Sequence, residues 1–156
     1  MILKIGQLAK LRKEYPKERI VLAGGVFDLI HNGHLFFLEK LRKYGDLVVV
    51  AVSCDKRVRE RKGVDRPVMN EQERLEMVDA IKHVDYVVLA PKPNKNLGYP
   101  TIKIVEKLKP DIFITTDKNW LGHQKDLTKY QTKFKLIPRS KNNISTTNII
   151  NRILKK

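Results

Sequence analysis

At 156 residues, 42% hydrophobic and 31% charged, the chain fits one domain over residues 1–156 and is long enough to bury a core. No run approaches the roughly 20 apolar residues that span a bilayer, and the charged start, Met1 to Arg19, lacks a signal-peptide core; a cytoplasmic location without membrane attachment is the expectation. The lone Cys54 excludes an intramolecular disulfide and offers no metal-ligand pattern, while 32 Lys and Arg against 17 Asp and Glu give a net charge of +15 that draws phosphates and other polyanions.

Ile2 to Leu11 reads as a preamble with a short extra helix. Arg19 to Ala23 is an apolar run stopped by Gly24-Gly25, the pattern of a buried strand. Leu35 to Tyr44 has helical spacing, with Gly45 suited to its C-terminal end. Asp46 to Ser53 is the strongest strand. Glu71 to Ile81 reads as a helix and Asp85 to Ala90 as a strand. Pro91 to Tyr99, rich in Pro, Asn, Gly and Lys, is a loop. Thr101 to Leu108 is a helix ended before Pro110, Asp111 to Thr115 a strand, and Phe134 to Ile137 another. Ser145 to Leu154 closes the chain as an amphipathic helix. Strands alternating with helices, and strands apolar on both faces, predict a Rossmann-like α/β fold: an open parallel sheet with helices on both faces.

In such sheets ligands bind beyond the carboxyl ends of the strands. The first long strand runs into Gly24-Gly25-Val26-Phe27-Asp28-Leu29-Ile30-His31-Asn32-Gly33-His34. Here Asn32 is the expected N-cap, and the helix start favours phosphate. His31 and His34 can both sit at this mouth and donate to phosphoryl oxygens; the competing reading is a pair that caps the helix and packs. Two histidines without a third ligand make a poor zinc site. No Gly-Lys-Ser/Thr follows the glycines, which excludes a Walker A loop. Ser145-Thr146-Thr147 offers a second helix start, with Ser145 as cap.

The stretch Gly25 to His34 resembles the H-x-G-H motif, with its preceding G-x-F-D, of the cytidylyltransferase-like nucleotidyltransferases. The resemblance continues through Asp46 to Asp55, Val58 to Gly63, Arg66-Pro67-Val68, Glu73-Arg74, Val84 to Val88 and Ser145 to Ile150. These stretches look like the nucleotidyl-transferring half of ADP-heptose synthase. Glycerol-3-phosphate cytidylyltransferase is similar in the same places. The resemblance implies in-line attack of an acceptor on the α-phosphorus of ATP or CTP, without a covalent enzyme intermediate. His31, His34 and Lys62 would be catalytic. Gly25, Val26, Phe27, Asp28, Gly33, Arg74, Arg139, Ser145, Thr146 and Thr147 would bind the nucleotide, with Asp28 orienting its loop and a helix-surface salt bridge as the competing role for Arg74. Mg²⁺ would enter with the triphosphate, and homodimerisation is implied by the family alone.

The run Thr115-Thr116-Asp117-Lys118-Asn119-Trp120 departs from the heptose-type pattern, lacking its lysine and both glycines. Asp117 and Trp120 are similar to the Asp-Trp of the glycerol-phosphate branch, with two residues inserted. They are the acceptor-binding candidates, a core-filling role being the alternative for Trp120. The stretch Arg139 to Asn143 departs from the glycerol-phosphate pattern, being one residue longer and without its glycine. His83 and Cys54 read as structural, and His123 sits in polar surroundings with no evident partner. The alternatives of another class are a basic nucleic-acid-binding module, disfavoured by an aromatic content of 7%, and a nucleotide binder without turnover.

Overall fold

The computed structural model describes residues 1–94, 99–139 and 144–155. Six parallel strands form one sheet: β1 (Ile2–Leu3), β2 (Ile20–Gly25), β3 (Leu47–Val52), β4 (Tyr86–Leu89), β5 (Ile112–Thr115) and β6 (Lys133–Leu136), in the order β1-β4-β3-β2-β5-β6. From β2 the chain winds outward through β3 and β4, then crosses back to lay β5 and β6 on the other side of β2. The winding therefore reverses between β2 and β5, and the crevice beyond their carboxyl ends is where a ligand is expected.

Successive residues of a strand point to opposite faces, and β2 divides accordingly. Ile20 and Leu22 join one core with Leu8 and Leu11 of α1 (Leu8–Glu14), Ile104 and Leu108 of α5 (Pro100–Leu108), and Leu127 of α6 (Gln124–Thr128). Val21 and Ala23 join the other with Leu38 and Leu41 of α2 (Asn32–Leu41) and Leu75 and Val78 of α4 (Glu71–Asp79). Each fully buried Leu or Val contributes about 1.5–3 kcal/mol, so both layers are needed to hold the sheet. The last helix, α7 (Thr146–Leu154), leaves Ile153 and Leu154 exposed at its end. No described helix is long and apolar enough to cross a membrane.

Aspartates fix the entry of three strands. Asp46, Asp85 and Asp111 accept from the amides of Arg19, Val48 and Ile20 at 2.8, 2.7 and 2.7 Å, each carboxylate tying its own strand's start to a neighbour. Arg42 and Arg12 complete the second and third with ion pairs of 2.7 and 3.0 Å.

Elements differ from the sequence reading in four places. Ile2–Leu3 is an edge strand on β4, and the first helix lies later, at Leu8–Glu14. Asp55–Lys62 is a helix, α3, that buries only Val58 and so carries no apolar stripe to read. A 3₁₀ stretch, Lys118–His123, precedes the short α6. Helix α2 ends at Leu41, and Gly45 serves instead for close approach: a Cβ there would run into the Arg19 carbonyl.

Candidate active site

The loop after β2 is held in a tight shape from below. Phe27 and Leu29 take positive φ values of 55° and 45° on either side of Asp28, conformations that cost free energy unless the surroundings impose them. Asp28 supplies that constraint. Its buried carboxylate accepts from the amides of Met69 at 3.0 Å and Val68 at 3.1 Å, and pairs with Arg66 at 2.8 Å. Asp28 thus ties the loop to the Val68–Met69 backbone and to Arg66.

Arg74 corrects the sequence reading. It is fully buried, so it is neither a nucleotide contact nor a surface ion pair. Its guanidinium donates to the Val26 carbonyl at 2.6 Å and the Met69 carbonyl at 3.0 Å, and pairs with Asp55 at 2.7 Å. It fastens α4 to the β2 loop and to the start of α3.

His31, not Asn32, is the N-cap of α2: its Nδ1 accepts from the Gly33 amide at 3.1 Å. A neutral ring accepting at Nδ1 carries its proton on Nε2. That imidazole stacks on His34 with ring centroids 3.8 Å apart and planes inclined by 23°. Phe27 backs His34 from the core side at 5.4 Å. Gly33 is required by this packing, since a Cβ there would lie 3.0 Å from two atoms of the His31 ring. The two readings of the pair are therefore compatible, because His31 caps the helix while both rings line the cleft. Desolvation, reinforced by His31 and Lys62 and opposed by Asp28, pushes His34 down to about 4. Burial lowers His31 as well. Both rings are neutral near pH 7 in the free protein, and His34 Nδ1 is buried with no hydrogen-bond partner among the described residues.

Helix α7 starts against the same loop. Thr146 donates its hydroxyl to the Asp28 carbonyl at 2.6 Å, and Ser145 caps the helix by accepting from the Asn148 amide at 3.1 Å. Helix geometry leaves the amides of Thr146 and Thr147 without intrahelical carbonyls, at the positive end of the dipole. Two helix starts thus border one cleft of about 710 Å³, which Lys62 and Arg139 also line. Burial depresses the Lys62 amine, and Arg66, Arg61 and Arg139 add to the effect against the opposing pull of Asp28.

Of the acceptor candidates, Asp117 caps the 3₁₀ stretch by accepting from the Asn119 amide at 3.0 Å and pairs with Arg61 at 3.1 Å. Trp120 is only 6% exposed and packs on Phe113 and Tyr99 at 4.4 and 4.9 Å; it forms a wall of the cleft while filling the core. His123 has partners the sequence did not reveal: it hydrogen-bonds Asp126 at 3.1 Å and leans on Tyr99 at 4.3 Å. Cys54 is buried at the start of α3. The loop reading over Pro91 to Tyr99 lies partly outside the described residues, and so does the departure over 140–143. Sequence reasoning passed over Arg57, Arg61 and Tyr99, all of which line the cleft. The available signal was the four-residue spacing of the two arginines just before Lys62.

Asp28 and Asp117 already hold cations and amides. Among the described residues no three His, Cys, Asp or Glu side chains gather to hold an ion.

The profile of the cytidylyltransferase-like family matches residues 22–152. The chain is 36% identical over 140 residues to the bifunctional protein HldE of Syntrophotalea carbinolica, covering 86% of this chain and 27% of that protein. It is 36% identical over 151 residues to HldE of Desulfatibacillum aliphaticivorans, covering 94% of this chain and 29% of that one. The chain therefore spans under a third of the length of these curated relatives. A crystal structure of the lipopolysaccharide core biosynthesis protein from Thermoplasma volcanium superposes with a TM-score of 0.64 at 29% identity, over 79% of this chain and 97% of that one. Pantothenate synthetase from Thermus thermophilus shares the fold alone, at 15% identity and a TM-score of 0.63 over 95% of this chain and 66% of that one. The match extends from the β2 strand through α7 and so takes in the histidine loop, Lys62 and the Ser145 cap: the chain belongs to the cytidylyltransferase-like family.

Proposed function

We propose that the chain transfers a nucleoside monophosphate from ATP, or alternatively CTP, to a sugar phosphate of the heptose 1-phosphate type and releases pyrophosphate. An acceptor phosphate oxygen attacks the α-phosphorus in line, a new P–O bond forms, and the bond to the bridging oxygen of the β-phosphate breaks. The observation that carries this reading is the meeting of the His31–His34 pair, Lys62 and the α7 start in one cleft. Such a reaction needs positioning and charge stabilisation more than covalent chemistry.

The Thr146 and Thr147 amides and Arg139 bind the β- and γ-phosphates in this reading. His31 presents Nε2–H as a donor, and Lys62 offsets the charge that accumulates between donor and acceptor. Mg²⁺ comes with the triphosphate and neutralises the leaving pyrophosphate. The acceptor class follows the resemblance to the nucleotidyl-transferring half of ADP-heptose synthase. A cytoplasmic location belongs to the same proposal, since nucleoside triphosphates are the donors. So does a homodimer, for which the exposed Ile153 and Leu154 supply apolar surface; sedimentation at two protein concentrations tests it.

The experiment is a pyrophosphate-release assay that crosses ATP, CTP, GTP and UTP with sugar, polyol and amino-alcohol phosphates and FMN, in Mg²⁺. ATP with a heptose phosphate is the expected productive pair. CTP with glycerol phosphate would select the alternative, and FMN as acceptor would move the chain to flavin chemistry. Nucleotide binding without release from any pair would leave a binder and end the proposal.

A further inference from the structure

One phosphate on the acceptor does not account for all the cations that line the cleft. Helix α3 (Asp55–Lys62) sets Arg57 and Arg61 four residues apart, on one face, and both line the cleft. Arg61 is neutralised by Asp117 at 3.1 Å. Arg57 is placed differently. Its carboxylate neighbour among the described residues is Glu60, at 3.8 Å, too long for a hydrogen bond. Its guanidinium lies over the Tyr99 ring, 5.3 Å from the centroid, and Tyr99 is itself propped on Trp120. An aromatic face holds a guanidinium flat and leaves its N–H edges for a planar anion. Ser53, Ala90 and Pro91, just beyond the ends of β3 and β4, also line the cleft.

We infer that Arg57 binds a second anionic group on the acceptor, distinct from the attacking phosphate. The preferred acceptors are then metabolites with two separate anionic groups, either sugar bisphosphates or phosphorylated sugar acids. This inference rests on the nucleotidyl-transfer reading for the meaning of acceptor, but its binding test does not require turnover.

Calorimetric titration at physiological salt with glucose 1-phosphate, glucose 1,6-bisphosphate and 6-phosphogluconate tests it. A charge-assisted contact predicts that the better of the two probes with a second anionic group binds at least about tenfold tighter than the monophosphate. The bisphosphate leading would assign the second group as phosphate, and phosphogluconate leading would assign it as carboxylate. In Arg57→Gln the ratio falls below about twofold, whereas Lys56→Gln, an equal loss of charge on an exposed residue of the same helix, keeps it. A ratio near one in the wild type, a ratio that survives Arg57→Gln, or an equal loss in Lys56→Gln overturns the inference, as does no binding of any probe by protein that binds nucleotide. Titrations with ATP and CTP on the same sample keep the two readings apart. Failure to bind either nucleotide sinks nucleotidyl transfer, while an Arg57-dependent preference would still stand.

Discussion

The imidazoles of His31 and His34 lie face to face, 3.8 Å between centroids, and the first of them is locked by the amide of the glycine between them. Two protonated rings at that separation would repel strongly, so the pair stays neutral until a polyanion arrives. A donor that is neutral in the free protein avoids the cost of a buried charge and can still answer charge developing on phosphoryl oxygen. His34→Ala is expected to lower kcat for pyrophosphate release by at least about 100-fold, the magnitude typical of losing a preorganised donor. Circular dichroism of the variant should match the wild type. A variant with near wild-type rate would remove His34 from the chemistry.

Stability should track the same histidine. Its folded value of about 4 lies below the unfolded 6.5, so the unfolded chain binds more protons between those pH values. Stability is complete above about pH 6.5 and falls as pH drops towards 4, by roughly 3 kcal/mol over the whole window if only His34 is counted. Urea unfolding at pH 7.5, 6 and 5 measures this, and His34→Gln should flatten the part of the slope that His34 supplies. Equal slopes in the two proteins would contradict the assignment.

Asp28 anchors the loop that presents both rings. Asp28→Ala strands the Arg66 guanidinium, whose side chain is only 12% exposed, and frees two backbone amides. Breaking a buried pair from one side costs about 3–5 kcal/mol. The expected outcome is a matching drop in the urea-unfolding free energy together with loss of nucleotide binding, since Phe27 and Leu29 would no longer be held at positive φ.

The sheet, its parallel sense and the histidine loop were legible because each leaves a periodic or motif signature. Val21/Leu22 and Val48/Val49 alternate between two buried faces, and G-x-F-D followed by H-x-G-H is local in sequence. Each miss has its own physical cause. Helix α3 is nearly all charged and packs through Val58 alone, so no apolar period announced it, and Arg57 and Arg61 stayed hidden with it. Arg74 looked like a surface base because sequence spacing cannot display the Val26 carbonyl and Asp55 that enclose it. The cap of α2 was misplaced by one residue because a histidine ring took the place usually filled by Asn or Ser.

Gly33 tests whether the cap matters for function. Gly33→Ala places a methyl 3.0 Å from the His31 Cε1 and Nδ1 atoms, so the ring must give by a few tenths of an ångström, which strains its cap. Loss of a cap costs about 1 kcal/mol, a modest shift in the unfolding midpoint. Turnover should fall by a few-fold to about tenfold, because preorganised sites tolerate only about 0.5 Å of donor displacement. A stability loss with unaltered kcat would mean that His31 acts only as a cap.

Lys62 separates electrostatic assistance from simple packing. Burial and the guanidinium groups of Arg66, Arg61 and Arg139 hold its amine below the ordinary lysine range. If its positive charge neutralises the phosphates, kcat/KM must decline on the alkaline side as the amine loses its proton, at a pH below the normal lysine value. Bound triphosphate stabilises the ammonium form, so the fall in kcat should come at higher pH than the fall in kcat/KM. Lys62→Arg keeps the charge and should erase the alkaline limb while retaining part of the rate. Lys62→Gln should lose rate at every pH, by about 100-fold or more if the charge acts at the transition state. An alkaline limb that persists in Lys62→Arg would assign the titration to another group.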